Sequence, residues 1–145
     1  MLLNQTAEYA FRAMAYLASR PDLDQAVPSA ELSEAANIPS HYVSKVMRRL
    51  VVARLVSSQR GHGGGFRLLK APKDIVFADI LRATDLDPMD QRCAFGFGEC
   101  DGQKPCVLHP AWSQLKECFN GWAESTTLDS VHENPMPVIP TASSD

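Results

Sequence analysis

The sequence predicts a mainly α-helical fold with one small β-hairpin, on three observations. Apolar residues recur at helical spacing through the first half of the chain, a glycine-rich turn joins two strand-like runs over residues 55–70, and a further amphipathic stripe follows a proline at position 110. The expected arrangement is a group of short helices and a hairpin, followed by one long C-terminal helix.

Residues 5–19 form the first expected helix, with Ala7, Ala10, Phe11, Met14, Leu17 and Ala18 on one face. Arg20, Pro21 and Asp22 end it, because proline disfavours the helical conformation at the residue before it. Ser29 is the expected N-cap of a second helix over 30–36 that turns Leu32, Ala35 and Ala36 inward. Asn37, Ile38 and Pro39 make a tight turn, and Ser40 caps a third helix over 41–53 whose stripe is Val43, Val46, Met47 and Leu50. Strands on either side of Arg60-Gly61-His62-Gly63-Gly64-Gly65 make the hairpin. Phe77–Ala83 is a short helix that buries Ile80 and Leu81. The last helix spans about 110–125, with Pro110 in its first turn and Ala111, Leu115, Cys118, Phe119 and Trp122 as its stripe. That stripe is a candidate dimer interface, and core packing is the alternative. The proline-containing end, 133–145, reads as a disordered tail.

Of the 145 residues, 45% are hydrophobic, which suits one domain with a real core. No apolar run approaches the ~20 residues of a membrane span. Glu8 and Arg12 interrupt the N-terminus too early for a signal peptide. A cytoplasmic chain is expected, in which the four cysteines are more naturally ligands, redox thiols or core residues than disulfides. The net charge of −3 divides into +4 over residues 1–75 and −7 over 76–145. Between residues 40 and 73 stand Lys45, Arg48, Arg49, Arg54, Arg60, Arg67, Lys70 and Lys73, with no acidic residue among them. A basic block on an acidic chain points to a local polyanion site.

Two short helices joined by a tight turn make a helix-turn-helix, whose second helix enters the DNA major groove with its N-terminal residues nearest the bases. Those residues here are Ser40, His41, Tyr42, Ser44 and Lys45, with Arg48 and Arg49 further along and better placed for phosphates. The glycine-rich tip, with His62, Gly63 and Gly64 between Arg60 and Arg67, suits a narrow minor groove. A phosphate-binding loop is disfavoured, because no Gly-Lys-Ser/Thr ending and no helix follows. The motifs of common enzyme classes are also missing, so an enzyme is the least favoured reading.

Cys93, Cys100 and Cys106 share one loop as Cys-x6-Cys-x5-Cys, with His109 three residues on. Three soft thiolates favour a soft or borderline metal. The spacing is neither that of zinc ribbons nor that of bacterial ferredoxins, and by itself it leaves iron–sulfur, zinc and redox-active free thiols open. Cys118 falls on an apolar stripe and reads as a buried structural residue.

With these motifs in place, the sequence from residue 1 to about 132 resembles the Rrf2 family of winged helix-turn-helix regulators. The resemblance rests on Thr6-Ala7-Glu8-Tyr9-Ala10, Tyr42-Val43-Ser44-Lys45, the Arg60–Gly65 tip, the cysteine loop, Cys106-Val107-Leu108-His109-Pro110, and Thr127-Leu128. It implies a homodimer with a long C-terminal dimerisation helix that binds a pseudo-palindromic DNA operator, in most members as a repressor. It also implies an iron–sulfur cluster, [2Fe–2S] favoured over [4Fe–4S], held by Cys93, Cys100 and Cys106. The fourth ligand is then His109 or, alternatively, Glu8 from the partner subunit. The six-residue spacing between the first two cysteines departs from the commonest family pattern and bears on cluster type. The implied organisation is a DNA-binding domain over 1–84, a cluster loop over 85–109, a dimerisation helix and end segment over 110–132, and the tail. The expected signal is redox state, nitric oxide or iron–sulfur supply. A small iron–sulfur electron carrier and a zinc-stabilised regulator without redox sensing are the alternatives, and a carrier would have no use for a basic helix-turn-helix.

Overall fold

A computed structural model of the chain describes residues 3–133. The order of elements is α1 (Gln5–Ser19), α2 (Ser29–Ala35), α3 (Ser40–Val52), β1 (Val56–Gln59), β2 (Gly65–Leu68), a 3-10 turn (Pro72–Asp74), α4 (Phe77–Ala83), α5 (His109–Ser125) and α6 (Ser130–Glu133). The expected tail over 133–145 lies, apart from Glu133, outside the described residues.

Helix α1 is capped by Asn4, whose side chain accepts from the Ala7 N–H at 2.8 Å. Its stripe is wider than an amphipathic face requires, because Tyr9, Ala13 and Ala15 are buried along with Ala7, Ala10, Met14, Leu17 and Ala18, while the expected Phe11 is only partly buried. The small alanines let other elements approach closely, and α1 touches α2, α3, α4, α6 and β2. The main core joins α1 to Leu32, Ile38, Val43, Val46, Met47, Leu50, Leu55, Ile75 and Leu128. Burying a Leu, Ile or Met side chain of this kind contributes about 1.5–3 kcal/mol.

The caps of α2 and α3 differ from expectation. Pro28 and Pro39, not Ser29 and Ser40, occupy the N-cap positions, and neither helix has a side-chain cap. A proline ring holds φ near the extended value that a cap residue adopts, so both helices begin one residue early and each serine becomes the first helical residue. The carbonyls of Pro28 and Pro39 accept from Leu32 and Tyr42 at 3.0 and 2.8 Å. Ala35 is exposed rather than inward, and Leu32 and Ala36 carry the buried face. The α2–α3 turn passes through Asn37 at φ 49°. It is closed by the Ile38 N–H on the Ser33 carbonyl at 3.0 Å and braced by Arg12 Nη1, which donates to the Asn37 carbonyl at 3.1 Å. At the other end of α1, the Tyr16 hydroxyl donates to Glu31 at 2.7 Å, and Arg20 also pairs with Glu31, which ties α1 to α2. Both contacts hold the Glu31 carboxyl below its usual range, against the opposing effect of partial burial.

The hairpin is antiparallel, with Val56 opposite Leu68 and Gln59 opposite Gly65. A third segment extends it. Val27 and Phe66 exchange both backbone hydrogen bonds at 2.8 Å. Helix α4 follows the expected Phe77–Ala83 limits and buries Ile80 and Leu81. Helix α5 packs back on α4 through Ala123 and Phe119, while Phe11, Phe77 and Trp122 form an aromatic cluster with ring centroids 4.9 and 5.4 Å apart along the series. The chain then returns to the core. The Leu128 N–H donates to the Ile75 carbonyl at 2.8 Å, and the Phe77 N–H to the Thr126 carbonyl at 2.9 Å. Cys118 is exposed, not buried. It lies about 100° around the helix from Phe119, off the side that meets α4. No helix among the described residues is long and apolar enough to cross a membrane.

The hairpin tolerates no side chain at Gly65. Its φ is +143°, and a Cβ there would sit 2.2 Å from the Val27 carbonyl oxygen. Gly65→Ala is therefore expected to destabilise the protein by about 2 kcal/mol or more, and to speed hydrogen exchange at Val27 and Phe66 first. Wild-type thermal stability and exchange in this variant would show that the third segment does not pin the wing.

Candidate nucleic-acid interface and cysteine loop

Two sites arise from this scaffold. The first is the outer face of α3. Burial of Val43, Val46, Met47 and Leu50 forces the residues between them outward. Ser40, His41, Ser44, Lys45 and Arg48 are exposed, and Arg49 is partly so. Tyr42 is half-buried, its ring packed against Tyr9 and His41 at centroid distances of 5.5 and 4.8 Å. Ser44, Lys45, Arg48, Arg49, Val52 and Ala53 form one wall of an open cleft of about 670 Å³, with Arg82, Ala83 and Asp85 from the end of α4 as the other. Arg82 and Asp85 were not legible from sequence as part of this surface. Arg82 is held by Asp79, by Asp87 at 3.6 Å and by Glu124, and Arg49 by Asp85. No ion pair forms at Lys45 or Arg48 among the described residues.

The wing tip stands apart from this cleft. Arg60, Gly61, His62 and Gly63 are exposed, and the Gly64 N–H closes the turn on the Gly61 carbonyl at 3.0 Å. Arg67 is exposed on β2, where its side chain bonds the Ser57 hydroxyl at 3.3 Å and the Asp24 carbonyl at 3.4 Å. The protein thus presents two basic surfaces, a helix face and a glycine-rich tip.

The second site is the loop between α4 and α5. Residues 91–100 fold into a miniature hairpin. The Cys100 N–H donates to the Gln91 carbonyl at 2.9 Å and the Cys93 N–H to the Gly98 carbonyl at 2.8 Å, so that the backbones of Arg92 and Glu99 lie opposite each other in an antiparallel pair. This pairing brings Cys93 beside Cys100. Its base is fixed to α5 by Trp112 Nε1, which donates to the Arg92 carbonyl at 3.0 Å. Cys106 comes just before α5, and its carbonyl accepts from the His109 N–H at 3.1 Å. His109 is the first residue of α5 and, like the three loop cysteines, is half-buried.

Partial desolvation raises the Cys100 thiol above its ordinary pKa, Lys116 opposes the rise, and Cys93 and Cys106 add to it. In kind, the donor set fits an iron–sulfur cluster, with three thiols in one loop beside a helix N-terminus. Among the described residues, no three His, Cys, Asp or Glu side chains already converge on one point. Glu8 is half-buried in the first turn of α1, on a different element from the cysteines. Lys116 and Trp112 were missed in the sequence reading. Trp112 could have been found from its place in the first turn of the helix that begins at His109.

Comparison with known proteins places these features in a family. The family model Rrf2, described as an iron-dependent transcriptional regulator, matches residues 3–134. The HTH-type transcriptional regulator IscR of Klebsiella pneumoniae strain 342 is 34% identical over 134 residues, which cover 92% of this chain and 81% of the relative. IscR of Photobacterium profundum is 34% identical over 128 residues, covering 88% and 73%. Among solved structures, T. potens IscR superposes with a TM-score of 0.70 at 25% identity, covering 93% of this chain and 91% of its own. CymR, the global cysteine regulator of B. subtilis, shares the fold at 22% identity with a TM-score of 0.73, covering 90% of this chain and 95% of its own. These relatives are transcription regulators rather than enzymes. The chain belongs to the Rrf2 family of DNA-binding, winged-helix transcriptional regulators.

Proposed function

We propose that this protein acts as a cytoplasmic homodimer on a pseudo-palindromic duplex, mainly as a repressor, and that an iron–sulfur cluster controls its hold on DNA. The observation that carries the reading is the cysteine loop. A hairpin sets Cys93 beside Cys100, and Cys106 and His109 follow at the start of a helix that packs directly on the DNA-binding half. The family description and the IscR relatives support it. In this reading residues 1–84 bind DNA, 85–109 hold the cluster and 110–132 dimerise. The exposed Leu115, Cys118 and Trp122 on α5 are surfaces that a second copy would cover.

On DNA, α3 enters the major groove. Ser40, His41, Ser44 and Lys45 lie nearest the base edges, while Arg48 and Arg49 meet phosphates. Tyr42 contributes from the edge of the helix, since its ring is partly committed to packing on Tyr9. Arg60 and the tip from His62 to Gly64 enter the adjoining minor groove, and Arg67 faces the backbone. Two such units related by a two-fold axis require two half-sites separated by about one helical turn or a multiple of it.

At the loop, Cys93, Cys100 and Cys106 would hold a [2Fe–2S] cluster, with His109 as fourth ligand. When bound, the cluster supplies a redox-active, ligand-reactive centre that responds to redox state, nitric oxide or iron–sulfur supply. The protein supplies the setting. The α5 N-terminus directs partial positive charge toward an anionic group, and Lys116 adds a full charge. A neutral imidazole in place of a thiolate raises the potential of such a site. The rival fourth ligand is the partner subunit's Glu8, which would tie the loop directly to α1.

Lys45→Ala is expected to lose about 1–3 kcal/mol of discrimination at one base pair, whereas Arg48→Ala weakens all sequences alike and flattens the salt dependence. Arg60→Ala also weakens binding. Titrations of selected and scrambled duplexes separate these outcomes, and unchanged affinity in both Lys45→Ala and Arg60→Ala would remove the helix and wing assignments together.

Anaerobic purification with an absorption spectrum and iron and sulfide counts tests the cofactor. The wild-type protein and Cys118→Ala should be brown. Alanine at Cys93, Cys100 or Cys106 should give colourless, folded protein. His109→Ala should alter the spectrum and Glu8→Ala should not. The reverse pattern for the last pair would make the site one shared between subunits, and a colourless zinc-loaded wild type would leave the electron-carrier and sensor readings without a basis.

A further inference from the structure

We infer that Asp85 is an intramolecular phosphate mimic that occupies Arg49 and restrains DNA binding by the α3 face. This rests on the reading of that face as the DNA-binding surface. It adds a carboxylate that works against it.

The cleft beside α3 is lined by four cations, Lys45, Arg48, Arg49 and Arg82, and by one carboxylate, Asp85. Arg82 is shared among three carboxylates of its own and lends little net charge to the surface. Lys45 and Arg48 carry no ion pair among the described residues. Arg49 is the remaining cation, and Asp85 holds it from across the cleft through an Oδ2 contact to Nη1. A carboxylate presents two oxygens to a guanidinium much as a phosphate does, so a DNA backbone and Asp85 compete for one seat.

The position of Asp85 is fixed by the backbone. It sits at φ +59° as the residue that turns the chain out of α4. The Asp85 N–H donates to the Arg82 carbonyl at 3.2 Å, and the next residue, Leu86, donates to Leu81 at 3.0 Å. Leu86 is in turn packed against the apolar cluster that contains Ala7, Ala78, Leu81 and Ala123. A short polar residue accepts this left-handed conformation with little strain, and only the carboxylate, 80% exposed, is free to give way. Because the pair is exposed, it holds weakly and a phosphate can displace it. It restrains binding without blocking it. The brake needs no group bound at the cysteines.

Asp85→Asn keeps the size and backbone preference of the residue and removes the charge. The test titrates the purified full-length protein with a short fluorescent duplex of arbitrary sequence over a range of salt. Asp85→Asn should bind roughly two- to fivefold tighter than wild type. Its log affinity should fall with log salt at close to the wild-type slope, since Arg49 neutralises the same phosphate in both proteins. In an Arg49→Ala background the same substitution should change neither quantity. Tightening that persists undiminished without Arg49 would mean that Asp85 merely repels DNA, and the inference would be overturned. It would also be overturned if Arg49→Ala weakened binding while Asp85→Asn did not tighten it. If Lys45→Ala and Arg49→Ala both left affinity unchanged, the α3 reading itself would fail and take the brake with it.

Discussion

The burial of α1 is the constraint on which the rest of the structure depends. Its alanines at 7, 10, 13, 15 and 18 are all buried, as are Met14 and Leu17, so the helix is enclosed on most of its circumference. Small side chains allow α3, α4, α6 and β2 to meet around it at close range. A larger residue at one of the fully enclosed alanines would force these elements apart, because interiors pack at crystal-like density and transmit strain. The polar contacts of α1 follow from the same placement. Arg12 braces the turn before α3, and Tyr16 and Arg20 secure α2 through Glu31. The orientation of α3, the proposed DNA-reading helix, is therefore set by α1.

That architecture separates two charge regimes. The block from residue 40 to 73 without an acidic residue becomes the exposed side of α3 and the wing. The acidic second half places several of its carboxylates where they neutralise Arg82 and Arg49 at the border between the regimes. An interface of this kind depends strongly on salt, because its affinity comes largely from counterions released from DNA. The cysteine loop lies beyond that border, hung between α4 and α5 and fixed to α5 by Trp112. Its attachment to α1 and α4 runs through Leu86 and Phe119, which pack against the second apolar cluster of Ala7, Ala78, Leu81 and Ala123.

Much of this was legible in the sequence because periodicity is a local property. The stripes of α1, α3 and α4 and the glycine-rich turn fixed element type and limits to within a residue or so. The caps of α2 and α3 were misplaced, since serine is the commoner cap and the competing effect of Pro28 and Pro39 is a matter of one residue. Cys118 was misjudged because an apolar stripe does not say how much of a helix face the fold covers, and α4 covers only the side bearing Phe119 and Ala123. The pairing of Val27 with Phe66, and of Arg49 with Asp85, joins residues far apart in the chain that no local pattern connects. At the cysteine loop the ligand types were legible. The miniature hairpin that sets Cys93 beside Cys100 was not, because its two glycines and single bridge make too short a signal.

In the proposed function, one chain joins a cluster-sensing cysteine loop to a DNA-reading α3 through the packing around α1. Its most direct test is the affinity of a single anaerobic preparation for a duplex selected from random sequence, measured with the cluster intact and again after its removal by chelation, with fold and dimerisation checked at each step. The account predicts that affinity for the selected duplex changes at least several-fold while affinity for unrelated DNA changes little. Equal affinity for the selected duplex in both states would contradict it, leaving a DNA-binding protein whose cysteine loop does not control what it reads.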